Sequence, residues 1–354
     1  MLLDDRIKLR IFGSSHSEEI GVVVEGVGFG ETIDLDKLQA FVDRRKSKFG
    51  FTTPRKESDK IIIESGIENG ITTGGEIVAK VLNENFRRAD YDKFKVTPRP
   101  SHADYAAITK YGKGHDLSGG GRFSGRITVP LCIAGGIALQ LLEQKGIKIG
   151  AYIQRIGSVE GKSYRFTLPC EDEVMSAGKK DFPVLDDGYV LPMMREIEGA
   201  KKTGDSVGGV VECVVFGLPV GTGGELTSSL ESAISKNIFS IPAVKGVEFG
   251  TGFLLSSMRA SAANDEFIYD ETGKVVTTTN NNGGINGGIC NGMPVTFRVA
   301  FKPAPSISIE QRTVDLEAKT NTTVTIKGNH DCCFVPRAVP AVEAMTAIAI
   351  LNLL

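Results

Sequence analysis

The chain has 354 residues, 41% hydrophobic and 24% charged, with a formal net charge of −2. This is ordinary globular composition, and it excludes a general nucleic-acid binder, which carries a basic excess. Six cysteines without CxxC spacing argue against a zinc site and suit reduced thiols, while 42 glycines exceed the usual share of roughly 7%.

In chain order, Met1–Arg10 carries no apolar stretch behind a basic start, so no signal peptide is expected and a cytoplasmic location is. The glycine-bounded, β-branched run Ile20–Val27 predicts a strand. Asp34–Lys46 predicts a helix, with Leu35, Leu38, Phe41 and Val42 at helical spacing and Asp34 as N-cap. Ile61–Ile63 and Ile77–Leu82 predict strands. Pro130–Lys145 predicts a helix closed by Gly146, and its Ala-Gly-Gly centre implies close helix packing. Ile147–Ile156 and Val210–Phe216 follow as strands, Pro192–Lys202 and Leu230–Phe239 as helices, and Val295–Phe301 and Thr322–Ile326 as strands. The apolar run Ala338–Leu354 is too short and interrupted for a membrane span and is expected to be a buried helix. Glu171–Gly188, the most polar and least periodic stretch, is expected to be a surface excursion. Strands and helices mix without regular βαβ alternation, which points to an α+β fold in one intertwined domain, 1–354.

All four histidines, His16, His102, His115 and His330, lie in glycine- or proline-rich loops, where catalytic groups concentrate. Ser14-Ser15-His16-Ser17 sets hydroxyls beside an imidazole. Arg44-Arg45-Lys46 leads towards Arg55-Lys56; it reads either as a solvated helix end or as a site for an anion. Arg99-Pro100-Ser101-His102-Ala103-Asp104 is a third such segment. Gly119-Gly120-Gly121-Arg122-Phe123-Ser124-Gly125-Arg126 precedes a helix and suits a phosphate, although it is neither a P-loop nor G-x-G-x-x-G. Gly283–Gly288, Lys302–Ser306 and Gly328–Cys333 complete the set. No metal site is indicated. From the residues alone, the sum is an anion-handling enzyme whose acid–base groups come from distant loops.

Together these segments resemble the chorismate synthase family, in the family's order, from Phe12 to about Ala347. The most telling matches are Arg99–Tyr105, Gly119–Arg126, Ile241–Glu248, Gly283–Gly288 and Pro336–Pro340. The resemblance implies a β-α-β sandwich with helices packed between antiparallel sheets, assembled as a homotetramer. It implies loss of phosphate from 5-enolpyruvylshikimate 3-phosphate to give chorismate, using reduced FMN from an external source. By the same resemblance, His16 protonates the departing phosphate and His102 serves the reduced flavin. Ser15, Ser124 and Asp331 form a supporting relay, and Arg45, Arg55 and Arg126 hold the substrate. Arg122, Phe123, Ser124, Pro242, Ala243, Gly287, Lys302, Pro303, Ala304, Pro305, Ser306 and the position of Asn329 cradle the flavin. Neither nucleic acid nor membrane is an expected partner. The sequence departs from the family pattern at Ser14, Ser17, Phe49-Gly50, Asn329 and Cys332. Two expected arginines are missing there, and the sequence alone does not decide whether a cation from elsewhere, such as Lys48 or Lys56, replaces them. The alternative reading is a flavin- or anion-binding homologue without turnover. A hydride-transferring flavoprotein lacks support, because there is no Rossmann fingerprint.

Overall fold

The computed structural model describes residues 6–46, 48–50, 57–84, 93–112, 114–116, 118–326 and 331–354. Its first half holds strands β1 (Lys8–Gly13), β2 (Glu19–Glu25), β3 (Ile62–Ser65) and β4 (Ile77–Leu82). These form an antiparallel sheet in the order β1-β2-β4-β3. In β4 the side chains alternate as a half-covered strand requires: Ile77, Ala79 and Val81 are buried. Lys80 points outward, paired with Glu19 and Glu64.

The helices of this half are α1 (Leu35–Asp43), α2 (Asp104–Tyr111) and α3 (Thr128–Glu143). Asp34 caps α1 as expected, its carboxylate accepting from Lys37 N at 2.9 Å. A second sheet follows, built from β5 (Lys148–Ile156), β6 (Val159–Glu160), β7 (Gly209–Phe216), β8 (Val244–Phe249) and β9 (Val295–Phe301). Its order is β8-β9-β7-β5-β6, again antiparallel. The remaining helices that shape the site are α4 (Glu171–Ala177), α5 (Val190–Lys202), α6 (Leu230–Ile238) and α7 (Val335–Leu351).

Helix α3 lies on β2 and β4 of the first sheet, and α7 lies on β5 and β7 of the second. The two helices pack directly on each other, with α1 beside α3 and α6 beside α7. Sheet, helix pair and sheet thus form the layers that the resemblance implies, and one apolar cluster runs through all of them. Both central helices are apolar on nearly every face, as burial on all sides demands. The stretch Gly125–Glu143 is long and apolar enough to cross a membrane, yet 83% of it is buried inside the molecule. The predicted closeness of the Ala-Gly-Gly centre holds: a Cβ on Gly135 would stand 2.2 Å from Ala344 Cβ of α7.

One expectation is overturned. Glu171–Gly188 is no surface excursion. It forms α4 and a return segment in which Val174, Ala177, Phe182, Val184 and Leu185 are buried, and Pro183 O accepts from Ile153 N at 2.7 Å. With Tyr164 it covers the outer face of the second sheet over Tyr152, Val214 and Phe216. The polar residues that dominate its composition include the acidic first turn of α4, where carboxylates complement the helix dipole. Smaller shifts occur at element ends: the strand expected at Thr322–Ile326 spans Thr320–Val324, and α5 begins at Val190.

Beneath that cover, Glu212 of β7 stands in register with Tyr152 and Arg298. Its carboxylate oxygens and the Tyr152 hydroxyl are buried, and among the described residues no hydrogen bond of good geometry reaches them. Burial raises the Glu212 carboxyl above its ordinary value; Ser163, Arg298 and Tyr152 are near enough to oppose the shift without cancelling it. A raised carboxyl favours folding below its unfolded value, and that contribution is lost as pH rises through the folded value. Glu212→Gln is therefore expected to raise Tm by about 2–4 °C at pH 8 and by less at pH 5. Thermal denaturation at the two pH values checks this, and a lower Tm at pH 8 would contradict it.

Candidate active site

The loop ends on one side of α3 gather two arginines from opposite ends of the first half. Arg45 follows α1, and Arg126 lies in the turn that leads into α3. Asp59 bridges them, with Oδ1 2.6 Å from Arg126 Nη1 and Oδ2 3.5 Å from Arg45 Nη1. Arg45 is further held by Thr128 Oγ1 at 3.0 Å and faces the carbonyl of Gly125. Burial lowers its guanidinium to about 10, and the nearby Arg337 and Arg126 push the same way. It remains charged at neutral pH. Arg126 donates from Nε to Asn83 Oδ1 at 3.0 Å, while its Nη2 is buried with no partner among the described residues. A buried donor left unmade costs roughly 1–3 kcal/mol, which an anion at that point would relieve. Asp59 itself sits at φ +46°, a left-handed conformation unusual for a residue other than glycine.

The turn carrying His16 abuts this cluster. Ser15 and His16 are buried. Ser124 Oγ lies 3.3 Å from Ser15 Oγ and also accepts from Arg126 N, capping the turn before α3. Ser17 accepts from Ser14 N at 2.8 Å and lies 2.5 Å from Glu19 O. The serine therefore closes the turn around His16. Asp331 pairs with Arg337 at 2.8 Å, and Arg337 Nε donates to Arg45 O. That couples Asp331 to the arginine cluster.

His102 is built into a second group. Arg99 grips Asp104 through Nε at 2.7 Å and Nη2 at 2.8 Å. His102 Nδ1 lies 2.7 Å from Asp104 Oδ1 and 3.1 Å from Arg99 Nη2. Because the ionised Asp104 carboxylate can only accept, Nδ1–H points to Asp104 and Nε2 is left to face Gly120. Burial alone would raise the Asp104 carboxyl, but the hydrogen bonds from Arg99 and His102 outweigh it and hold the group well below the carboxylate range. A Cβ on Gly120 would meet His102 Nε2 at 3.4 Å and Ser124 Cβ at 3.5 Å. The glycine thus lets the histidine and the serine share one space.

The expected flavin residues divide between two places. Lys302 N donates to Ala243 O at 3.0 Å, so Pro242 and Ala243 lie against Lys302–Ser306. Arg99 Nη1 donates to Ser306 Oγ at 3.3 Å, which joins this strip to His102. Burial lowers the Lys302 ammonium, with Lys245 adding to the effect, and Lys302 Nζ donates to Ser101 O. Arg122 and Phe123 are exposed beside it in sequence to Ser124. Gly287 is placed differently. Its neighbour Gly288 accepts from Leu230 N at the start of α6, whereas Pro242 and Ala243 follow that helix's end. Nine helical residues span about 13 Å, so Gly287 stands at the far end of α6 within the chain. Its positive φ and the open space beside it still suit a close ligand. A cation, an aromatic side chain and bare backbone are a donor set that fits a flavin phosphate and ring.

The structure joins Ser15, Ser124, Arg45, Arg126 and Asp331 through shared partners, and Asn83 joins the turn carrying His16 to Arg126. Arg55 and Asn329 lie outside the described residues, as do Lys56 and His330. Lys48 is no replacement cation: its ammonium pairs with Asp181. His115 stacks on Tyr111 at 4.8 Å. The sequence reading missed Asp59, Asn83, Thr128 and the Arg99–Asp104 pair. Asp104 lies inside a segment already singled out and Asp59 three residues past one, but Asn83 carries no local signal.

Comparison with known proteins identifies the family. Residues 7–354 match the family model described as chorismate synthase. A chorismate synthase of Thermococcus kodakarensis is 45% identical over 344 residues, covering 97% of this chain and 94% of the relative. One from Dehalococcoides mccartyi is also 45% identical, covering 97% and 93%. One from Methanothermobacter thermautotrophicus is 41% identical over 347 residues, covering 98% and 91%. A crystal structure of chorismate synthase shares the fold at TM-score 0.74 and 24% identity, covering 98% of this chain and 91% of that one. The chain belongs to the chorismate synthase family and is a carbon–oxygen lyase of that family.

Proposed function

We propose that the chain eliminates phosphate from 5-enolpyruvylshikimate 3-phosphate to give chorismate, with reduced FMN as cofactor. One observation carries the reading: the partnerless, buried Nη2 of Arg126 beside a second buried arginine, in a chain of net charge −2. Two guanidinium groups converging in an otherwise unbiased protein suit a multiply anionic ligand.

In this reaction the ring C–O bond to phosphate breaks and one ring proton is lost, with no net change in oxidation state. Arg45, Arg126 and Arg55 hold the anionic groups, and the arginines favour charge as it builds on the leaving phosphate. His16 gives a proton to the departing phosphate oxygen. His102, with Nδ1–H fixed on Asp104, holds or releases a proton at Nε2. Ser15 and Ser124 relay hydrogen bonds beside it, with Asp331 as the charged end of the relay. Arg122, Phe123, Pro242, Ala243, Gly287 and Lys302–Ser306 hold the cofactor, together with the segment around Asn329. Reduced FMN supplies an electron-rich ring when bound; the protein supplies position and electrostatics.

The chain is read as one intertwined domain that works in the cytoplasm as a homotetramer, taking its reduced flavin from elsewhere. The exposed Phe253, Phe267 and Tyr269 offer apolar surface for assembly. The reading is tested by charging the enzyme anaerobically with one equivalent of chemically reduced FMN. Many turnovers without further reductant or NADPH are expected. One turnover per flavin would sink it.

A further inference from the structure

We infer that Asn83 is the positioning residue that ties the His16 turn to the anion-holding Arg126. Pairing of Glu19 with Leu82 in the first sheet sets Asn83, one residue past β4, against the turn. There Asn83 is buried, and its side-chain amide is in use on both sides. Nδ2 donates to Ser17 O at 2.7 Å and Ser14 O at 3.2 Å, the carbonyls that flank Ser15 and His16. Oδ1 accepts from Arg126 Nε at 3.0 Å. The backbone N of Asn83 also donates to Glu18 O at 2.8 Å. Arg126 fixes which amide atom is which, because its Nε can only donate.

Only an amide of this length supplies two donors to carbonyls and one acceptor to a guanidinium from the same group. An aspartate would keep the acceptor and lose both donors; an alanine loses all three. With Nε on Asn83 and Nη1 on Asp59, the Arg126 plane is fixed and the free Nη2 has one direction left. The same amide fixes the turn that carries His16. An anion at Nη2 is therefore held by an arginine that one amide ties to the backbone of the turn carrying His16. Loss of the amide loosens both ends, so the proton donor and the anion site no longer hold a common geometry.

The inference rests on the anion-handling reading of the site, and its test separates the two. Inorganic phosphate is titrated into the full chain, without flavin, while the His16 imidazole is followed by NMR, with His16→Gln giving the assignment. The wild type is expected to show a His16 shift on binding that Arg126→Met abolishes. Asn83→Ala is expected to bind phosphate about tenfold more weakly and to lose the shift even at saturation. A His16 shift in Asn83→Ala equal to that of the wild type overturns the inference, as does no shift in the wild type. Turnover adds a second readout. Asn83→Ala is expected to lower kcat and raise KM, and to add little to Arg126→Met in the double variant. A lower Tm with unchanged kcat and KM would make Asn83 merely structural and overturn it. If the phosphate results hold but the wild type makes no chorismate, the reaction assignment fails and the positioning role stands.

Discussion

Gly135→Val is expected to leave no stably folded protein. Even the first added carbon would stand 2.2 Å from Ala344 Cβ and 2.3 Å from Ala344 Cα. The second of these is backbone in the middle of α7, so no rotamer change can relieve it. The helices must separate, and both are buried along nearly their whole length between two sheets. Overpacking usually costs about 1–3 kcal/mol; a clash that opens the central layer is expected to exceed about 4 kcal/mol, a large part of a typical domain's stability. Gly199→Ala is the control. That glycine lies inside α5 with open space around its α-carbon, so alanine should stabilise by about 0.5–1 kcal/mol. Expression, solubility and thermal unfolding of the two variants check the contrast. A soluble Gly135→Val melting within a few degrees of the parent would contradict the packing argument.

Arg126→Ala is expected to lower kcat/KM about a thousandfold, equivalent to about 4 kcal/mol of lost transition-state binding. The change removes the free Nη2 and leaves the Asp59 carboxylate, among the described residues, with Arg45 at 3.5 Å. It also takes the acceptor's partner from Asn83. Charged hydrogen bonds contribute roughly 1.5–3 kcal/mol each, and these groups are buried. Arg126→Lys separates charge from geometry. Its ammonium restores the charge without the fork that meets Asn83, Asp59 and the ligand together, so about a hundredfold loss should remain. Anaerobic steady-state kinetics with reduced FMN read both variants, and circular dichroism reports whether they fold. A kcat/KM for folded Arg126→Ala within fivefold of wild type would remove Arg126 from the site.

The legible parts of the fold are those whose burial is written in one local run. β4 alternates, Asp34 precedes a helical period, and α3 and α7 are apolar over most of their length. The Glu171–Gly188 segment misleads because few of its residues are apolar; those few are spaced so that α4 and its return cover the second sheet. The site divides in the same way. Basic residues in a chain of net negative charge point to Arg45 and Arg126, and loop histidines to His16 and His102. Their fixing residues do not announce themselves. Asn83 ends an ordinary strand, and its partners Ser17 and Arg126 are 66 and 43 positions away. Asp59 acts through a conformation, φ +46°, and through two arginines brought in by different elements. Such roles exist only once β2, β4 and the turn before α3 have converged.

The most direct measurement is the anaerobic reaction of 5-enolpyruvylshikimate 3-phosphate with the full chain and chemically reduced FMN, following phosphate and chorismate together. The account predicts that both appear in equal amounts, over many turnovers per flavin, and that both slow together by about a thousandfold in Arg126→Ala. Flavin and substrate binding with neither product formed would contradict it and leave a homologue that binds without turning over.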